Sequence, residues 1–321
     1  MKKILIILLT ACCFSLSANE VKYDIIVAQD GSGNFTSVQE AINSVRGVMT
    51  ERKTIFIKNG IYREKVVVET HSMNITLVGE DVEKTIISWG DHANMSLPGT
   101  DKPMGTFKTY TLLVQGHGFR AENLTIENNA EPLAQAVALH AEGDKAVFVN
   151  CRFLGNQDTI YAGNHLSRQY YKNCYIEGTT DFIFGSATVY FEHCSIYSKK
   201  NSYITAPSTP QENPFGFVFF QCKLTAAEGI NKVYLGRPWR PYGASAFIEC
   251  VLGSHILPAG WDNWRNADNE KTARFVEINN TGAGADISQR VTWSKQLDKS
   301  QEKNYSLEKV FTTIEDTWNP K

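Results

Sequence analysis

A short strand-like pattern recurs along the chain and restricts its folds more than any other feature. Asn150-Cys151-Arg152-Phe153 is followed by Asn173-Cys174-Tyr175-Ile176, His193-Cys194-Ser195-Ile196, Gln221-Cys222-Lys223-Leu224 and Glu249-Cys250-Val251-Leu252. Upstream the same slot is filled by Leu in Asn123-Leu124-Thr125-Ile126 and by Ile in Asn74-Ile75-Thr76-Leu77. From Leu124 onward the slots lie 27, 23, 20, 28 and 28 residues apart. In each match the slot residue and the residue two further on are apolar, with a mostly polar residue between, which is the alternation of a strand with one face inward. One short strand in register every ~20–30 residues reads as a solenoid. Val, Ile, Phe and Tyr dominate the strands and long helical patterns are few, so the architecture expected is all-β, a right-handed parallel β-helix. A β-sandwich with coincidental cysteine spacing is the competing fold.

The 321 residues suit one long domain or two ordinary ones. No Pro/Gly/Ser linker, low-complexity tract or charge run divides them, and the repeat crosses every plausible cut, so residues 19–321 are expected to form a single domain. A formal net charge of −2 offers no electrostatic footprint for nucleic acid. Lys2-Lys3 before an apolar run from Ile4 to Leu16, then Ser17-Ala18, reads as a secretory signal, residues 1–18, cut after Ala18. The run is short for a membrane span. Leu9-Thr10-Ala11-Cys12 also resembles a lipoprotein box with Cys12 as the lipid-bearing residue; Cys13-Phe14 after it favours ordinary cleavage. Secretion or periplasmic export is the expectation.

Removal of the signal leaves five of the seven cysteines. Export permits disulfides, and adjacent rungs bring Cys151 and Cys174, or Cys194 and Cys222, within bonding range. A buried stack of free thiols acting as small hydrophobes is the alternative. Thr36 and Gln39 form a capping box, and Val38, Ala41, Ile42 and Val45 then share one helical face. That helix is placed to cap the N-terminal end of the solenoid core. Ser306–Trp318 is expected to form a second helix on the flank.

Asp158 and Asp181 each lie seven residues after a slot cysteine. On neighbouring rungs they would sit ~5 Å apart, too close for both carboxylates to ionise freely, so one is pushed towards keeping its proton. Such a pair supplies a nucleophile or base beside an acid. Two turn aspartates on a polar rim would show the same offset.

The residues around the acids narrow the chemistry. Gly155-Asn156-Gln157-Asp158-Thr159, Asp181-Phe182-Ile183-Phe184-Gly185, Gln135-Ala136-Val137-Ala138-Leu139, Leu235-Gly236-Arg237-Pro238-Trp239, Gly60-Ile61-Tyr62-Arg63-Glu64 and Gly105-Thr106-Phe107 together resemble the pectin methylesterases (pectinesterases), in that family's order up to about residue 250. The resemblance implies a β-helical carbohydrate esterase that removes methyl esters from homogalacturonan in pectin degradation. It implies Asp181 as nucleophile, Asp158 as acid and then base, Gln157 and Gln135 as donors to the tetrahedral oxyanion, and Arg237 as the holder of the nucleophile. Thr106, Gln135, Arg237, Trp239 and Phe182 are the implied substrate contacts. The residue types suit the work: an arginine favours an ionised Asp181, a negative neighbour keeps Asp158 protonated, and neutral amides donate to an oxyanion. That chemistry needs no metal and no organic cofactor. Pectin is the implied partner, with no stable protein partner and a monomer expected.

Phe184, Trp261 and Trp264 join Phe182 and Trp239 as candidate sugar-stacking walls. Phe182 and Phe184 alternate on one strand face, leaving open that one or both are core. His140, His165 and His193 lack metal-ligand spacing. Gly116-His117-Gly118 resembles a polygalacturonase fragment without that family's acidic clusters and reads as a turn. Tyr62 and Glu64 read as structural. Asn156 stands where many plant members carry an aromatic, and the loops Trp89–Thr100 and Ala206–Pro214 match no family signature, so the cleft walls are expected to differ. A retaining glycosidase, which also places two carboxylates ~5–5.5 Å apart, and a non-hydrolytic polysaccharide-binding β-helix are the competing functions.

Overall fold

The structure is a computed structural model that describes residues 23–321. The expected signal, residues 1–18 with Cys12, lies outside the described residues. The chain winds into a right-handed parallel β-helix whose full coils each supply one strand to each of three sheets, which hold 11, 8 and 7 strands in all. One coil runs Ala146–Val149 in the 11-stranded sheet, Arg152–Leu154 in the 8-stranded sheet and Ile160–Ala162 in the 7-stranded sheet; the next begins at Arg168. Each strand pairs in parallel with its equivalents one coil away, as in Ile160 with Ile183 and Phe153 with Ile176.

The recurring polar residue before each slot proves to be a corner. Asn123, Asn150, Asn173, His193, Gln221 and Glu249 all have φ between 50 and 55°, and each links an 11-stranded-sheet strand to an 8-stranded-sheet strand. This left-handed region is costly for most residues and least so for Asn among those with side chains. The slot residue then points inward. Cys151, Cys174, Cys194, Cys222 and Cys250 are buried and free. Each thiol lies 3.4–3.5 Å from a carbonyl of the preceding coil, for example Cys174 Sγ to Phe148 O, so the stack is of reduced thiols and no disulfide joins the rungs. Asn74 shares the conformation (φ 56°), but Ile75 begins a strand of the 11-stranded sheet. That match belongs to a different corner, and the expected slot assignment for Ile75 is corrected accordingly.

The 11-stranded sheet fills the core with an aromatic ladder. Phe148, Tyr171, Phe191, Phe219 and Phe247 stack at successive centroid distances of 4.7, 4.8, 4.5 and 4.4 Å, the rung spacing itself.

The N-terminal helix spans Val38–Ser44 and buries Val38, Ala41 and Ile42 in the main core. Its N-cap is Ser37, whose hydroxyl accepts from Glu40 N, rather than Thr36. Glu64 completes the cap: its carboxylate accepts from Ser37 Oγ at 2.7 Å and from Val38 N and Gln39 N at 2.9 Å each. Tyr62 is buried, its hydroxyl donating to Lys58 O. The expected helix over Ser306–Trp318 is only the single turn Leu307–Val310. Val310 and Phe311 bury against the outer face of the 11-stranded sheet and fix the tail there; two apolar anchors need no longer helix.

Phe191→Ala removes one ring from the middle of the ladder, between two stacked neighbours. We expect a loss of about 3–5 kcal/mol in unfolding free energy, read from the denaturant midpoint. A loss below about 1 kcal/mol would show that the ladder packs loosely.

Candidate active site

Asp158 and Asp181 occupy equivalent places on adjacent coils, two residues before the paired Ile160 and Ile183. Both adopt the left-handed conformation, φ 68° and 49°. Their amides are committed to the next coil, Asp158 N to Thr180 O at 3.1 Å and Asp181 N to Tyr203 O at 2.8 Å. Both side chains line one outward cleft of about 240 Å³ together with Thr106, Phe107, Gln135, Gln157, Phe184, Ala206, Arg237, Trp239 and Trp264. The acids are nevertheless 92–95 % buried in the cleft floor, 8 % and 5 % exposed.

Gln135 and Gln157 reach the same cleft from neighbouring coils, tied by Ala136 N to Gln157 O at 3.0 Å. The loop after Trp89 touches this edge through Ala93 N, which donates to Gln135 O at 2.8 Å. Thr106 opens a 3-10 turn, Thr106–Lys108, entered through Gly105 at φ 72°. Arg237 follows the strand Tyr234–Gly236 and donates to Asp181 through its Nε–Nη2 edge, Nε to Oδ1 at 3.0 Å and Nη2 to Oδ2 at 2.7 Å. This fork-on-carboxylate geometry fixes direction as well as charge.

The electrostatics separate the two acids. Burial lifts the Asp158 pKa well above the usual carboxylate range and the Asp181 charge lifts it further; Arg237 and Gln157 pull the other way. Burial also lifts Asp181, with Asp262 adding to it and Arg237 opposing. Arg237 favours the Asp181 anion, but desolvation outweighs it. The pair titrates as a unit, and the first proton leaves Asp181, the acid with the guanidinium on both oxygens.

Five of the aromatics sort cleanly. Phe184 faces the cleft and meets Trp239 edge-on at 5.8 Å. Phe182 does not: its side chain is fully buried in the main core. The left-handed turn at Asp181 breaks the alternation, so Phe182 and Ile183 both enter the core and Phe184 turns out. A side chain at Gly178 would meet Phe182 Cβ at 2.2 Å, so that glycine makes room for the inward ring. The expected substrate contact at Phe182 is therefore withdrawn, and Phe184 takes its place on the cleft wall. Trp261 is also interior, 1 % exposed, stacked on Phe275 at 4.2 Å and donating to Glu277. Trp264 lines the cleft. Phe107, Ala206 and Trp264 complete walls that the motifs named only in part. Tyr161, three residues after Asp158 as Phe184 is after Asp181, packs 5.0 Å from Phe184; the offset that paired the acids would have found it. Gly116-His117-Gly118 is a turn, His117 O accepting from Asn74 N.

Comparison with known proteins agrees with this geometry. The pectinesterase family model matches residues 24–314. Pectinesterase 31 of Arabidopsis thaliana is 43 % identical over 281 residues, 84 % of this chain and 86 % of that protein. Other Arabidopsis relatives, described as pectinesterase/pectinesterase inhibitors, are longer, and the chain spans 49–50 % of them. Among solved structures, pectin methylesterase from carrot superposes with a TM-score of 0.84 at 33 % identity, covering 91 % of this chain and 94 % of that one. A pectin methylesterase in complex with a hexasaccharide superposes at 0.80 with 28 % identity, covering 94 % and 99 %. Fold and match together define a β-helical carboxylic ester hydrolase. The chain belongs to the pectinesterase family.

The raised Asp158 pKa has a thermodynamic signature. Below the unfolded-state value of about 3.9 both states hold the proton and the neutral acid costs the fold nothing. As pH rises past that value the unfolded chain loses the proton first, so stability falls until the folded-state pKa is passed. Asp158→Asn removes this loss. Its Tm advantage over wild type should be small near pH 4 and larger at pH 8; a pH-independent difference would contradict the raised pKa.

Proposed function

We propose that this pectinesterase hydrolyses the methyl esters of homogalacturonan, giving pectate and methanol, through Asp181 as nucleophile and Asp158 as acid and base. The observation that carries the reading is the asymmetry of two neighbouring buried acids: Arg237 grips both oxygens of Asp181, while burial and the Asp181 charge push the Asp158 pKa well up. Asp181 is thus the better anion, aimed by a rigid fork, and Asp158 the better proton donor.

In the first half-reaction an Asp181 oxygen bonds to the ester carbonyl carbon, and the carbonyl electrons move onto its oxygen. Gln157 and Gln135 line the cleft beside the acids and supply neutral N–H donors for that oxyanion, of the kind whose single loss costs roughly 10²–10³ in rate. As the tetrahedral centre collapses, the carbon–methoxy bond breaks and Asp158 gives its proton to the departing oxygen, releasing methanol. In the second half, Asp158, now a carboxylate, takes a proton from water. The resulting hydroxide attacks the mixed anhydride and frees both the galacturonate carboxyl and Asp181. Trp239, Phe184, Trp264, Phe107 and Thr106 form the walls that receive the sugar rings; flat sugar faces stack on such aromatic surfaces. The solved relative holding a hexasaccharide supports an oligosaccharide in this cleft.

Residues 19–321 act as one domain, working as a monomer without nucleic-acid partners, after export directed by the N-terminal segment. Mass spectrometry of the mature N-terminus separates cleavage after Ala18 from lipidation at Cys12.

The test is to incubate the mature protein with highly methylated pectin and to follow methanol, reducing ends and unsaturated uronides together. We expect methanol alone. New reducing ends would mean a glycosidase, and no product at all would mean a binding protein. Asp181→Ala should abolish methanol release with an unchanged far-ultraviolet spectrum, and Gln157→Ala should lower kcat by roughly 10²–10³. Near-full activity in Asp181→Ala would remove the nucleophile assignment.

A further inference from the structure

Arg237 is gripped on more than its edge. Its guanidinium carbon lies 3.8 Å from the centre of the Tyr203 ring and 3.8 Å from that of the Trp264 ring. Both rings pack on the guanidinium at contact distance while its Nε–Nη2 edge is committed to Asp181. The packing is itself supported. Tyr203 and Tyr234 are register partners in the 7-stranded sheet and their rings stack at 5.3 Å and 15°. The second ring, Trp264, is presented by a loop with two consecutive left-handed residues, Trp264 at φ 59° and Arg265 at φ 56°. Asp262 Oδ1 accepts from Trp264 N at 2.8 Å and Asn269 Nδ2 donates to Asn263 O at 3.0 Å, holding that conformation. The buried Trp261 roots the loop in the core. Non-glycine residues rarely adopt this backbone in succession, and a loop that does so is held there by its surroundings.

An arginine that makes two in-plane hydrogen bonds still has a long stem that can sway out of the carboxylate plane. Two rings packed on the guanidinium remove that freedom, and they exclude water from it, which strengthens the ion pair at the edge. The two rings differ in one respect. Trp264 borders the cleft, whereas Tyr203 is absent from its lining. Whatever Tyr203 does for catalysis is done through Arg237.

We propose that Tyr203 is a positioning residue for the reaction, holding the Arg237 plane against Asp181 from behind while Trp264 closes the front. The proposal rests on the reading of Asp181 as nucleophile. The charged groups facing Asp181 are Arg237, Asp158 on the adjacent coil and Asp262. Of these only Arg237 favours the Asp181 anion, so loosening it makes that anion harder to form.

The test compares Tyr203→Leu, Tyr203→Phe, Arg237→Lys and the Tyr203→Leu/Arg237→Lys double variant in the mature enzyme, on methylated pectin. A displacement of order 1 Å at a reacting group costs up to about 10²-fold. Tyr203→Leu should lower kcat by about ten- to a hundred-fold with KM within about twofold, and should move the acid limb of the kcat/KM profile to higher pH. Tyr203→Phe keeps the ring and should recover most of kcat. The double variant should be no slower than Arg237→Lys. Wild-type kcat and an unmoved acid limb in Tyr203→Leu overturn the proposal, and so does a double variant slowed by the product of the single effects. Tyr203→Met, of similar bulk without a π face, carries the comparison should the leucine variant lose its folded spectrum. Asp181→Ala tests the underlying reading separately: its activity removes the nucleophile, whereas an inactive Asp181→Ala beside an unaffected Tyr203→Leu removes only the clamp.

Discussion

From Asn123 onward each coil turns from the 11-stranded to the 8-stranded sheet on a single residue at positive φ, and that residue's amide donates to the next coil. Asn150 N reaches Lys172 O, Asn173 N reaches Glu192 O, His193 N reaches Phe220 O and Gln221 N reaches Ile248 O, all at 2.9–3.0 Å. The corner therefore does two things at once. It sets which face of the following strand points inward, and it locks the register to the neighbouring coil. A slip by one residue would turn the thiols and the aromatic ladder out to solvent. With the register locked, rings repeat at the rung spacing and stack without a separate device. Glycine would relieve the strain at each corner at a cost in chain entropy; Asn adopts the conformation more cheaply than other side chains and adds a contact of its own, Asn150 Nδ2 to Asn123 Oδ1 at 2.7 Å.

The site uses the same construction at another corner. Asp158 and Asp181 are left-handed residues before strands of the 7-stranded sheet, with their amides given to the next coil. Backbone hydrogen bonds that would otherwise need satisfying locally are met along the helix axis, which leaves both side chains free to face the cleft. The price is strain at each acid, and the ladder on either side holds it in place. A solenoid thereby brings two carboxylates to one rung spacing with no loop to order.

Much of this was legible in the sequence because a β-helix is nearly one-dimensional: equal offsets from equal corners mean neighbours in space. The period, the inward thiols and the acid pair follow from that rule, whereas the esterase motifs were legible by resemblance to a family. It failed where a local turn resets the phase. Phe182 and Phe184 look alike by alternation, yet the turn at Asp181 sends one to the core and the other to the cleft. Asn74 shows the corner conformation before a strand of the wrong sheet, since short motifs do not say which of three corners they occupy. Ser37 rather than Thr36 caps the first helix because Glu64, far along the chain, accepts from the amides of Val38 and Gln39. Trp261 and Trp264, three residues apart, divide between core and cleft for want of any periodicity in the loop that carries them. The hold of Tyr203 on Arg237 is likewise invisible to pattern, because it joins residues from different coils through a ring face.

In the proposed mechanism the two acids divide the work because they differ in neighbours, although their burial is similar. Both lose solvation, and both are pushed up by it. Had each faced its own arginine, both would ionise together and no proton donor would remain beside the nucleophile. Had neither, the pair would share a proton with nothing to decide which oxygen attacks. A single guanidinium, committed through its Nε–Nη2 edge to both oxygens of Asp181 and packed between two aromatic rings, breaks the symmetry. It also makes the asymmetry geometric: the carboxylate whose direction is fixed is the one the arginine favours as an anion, and the acid pushed further up is the one left without a fork.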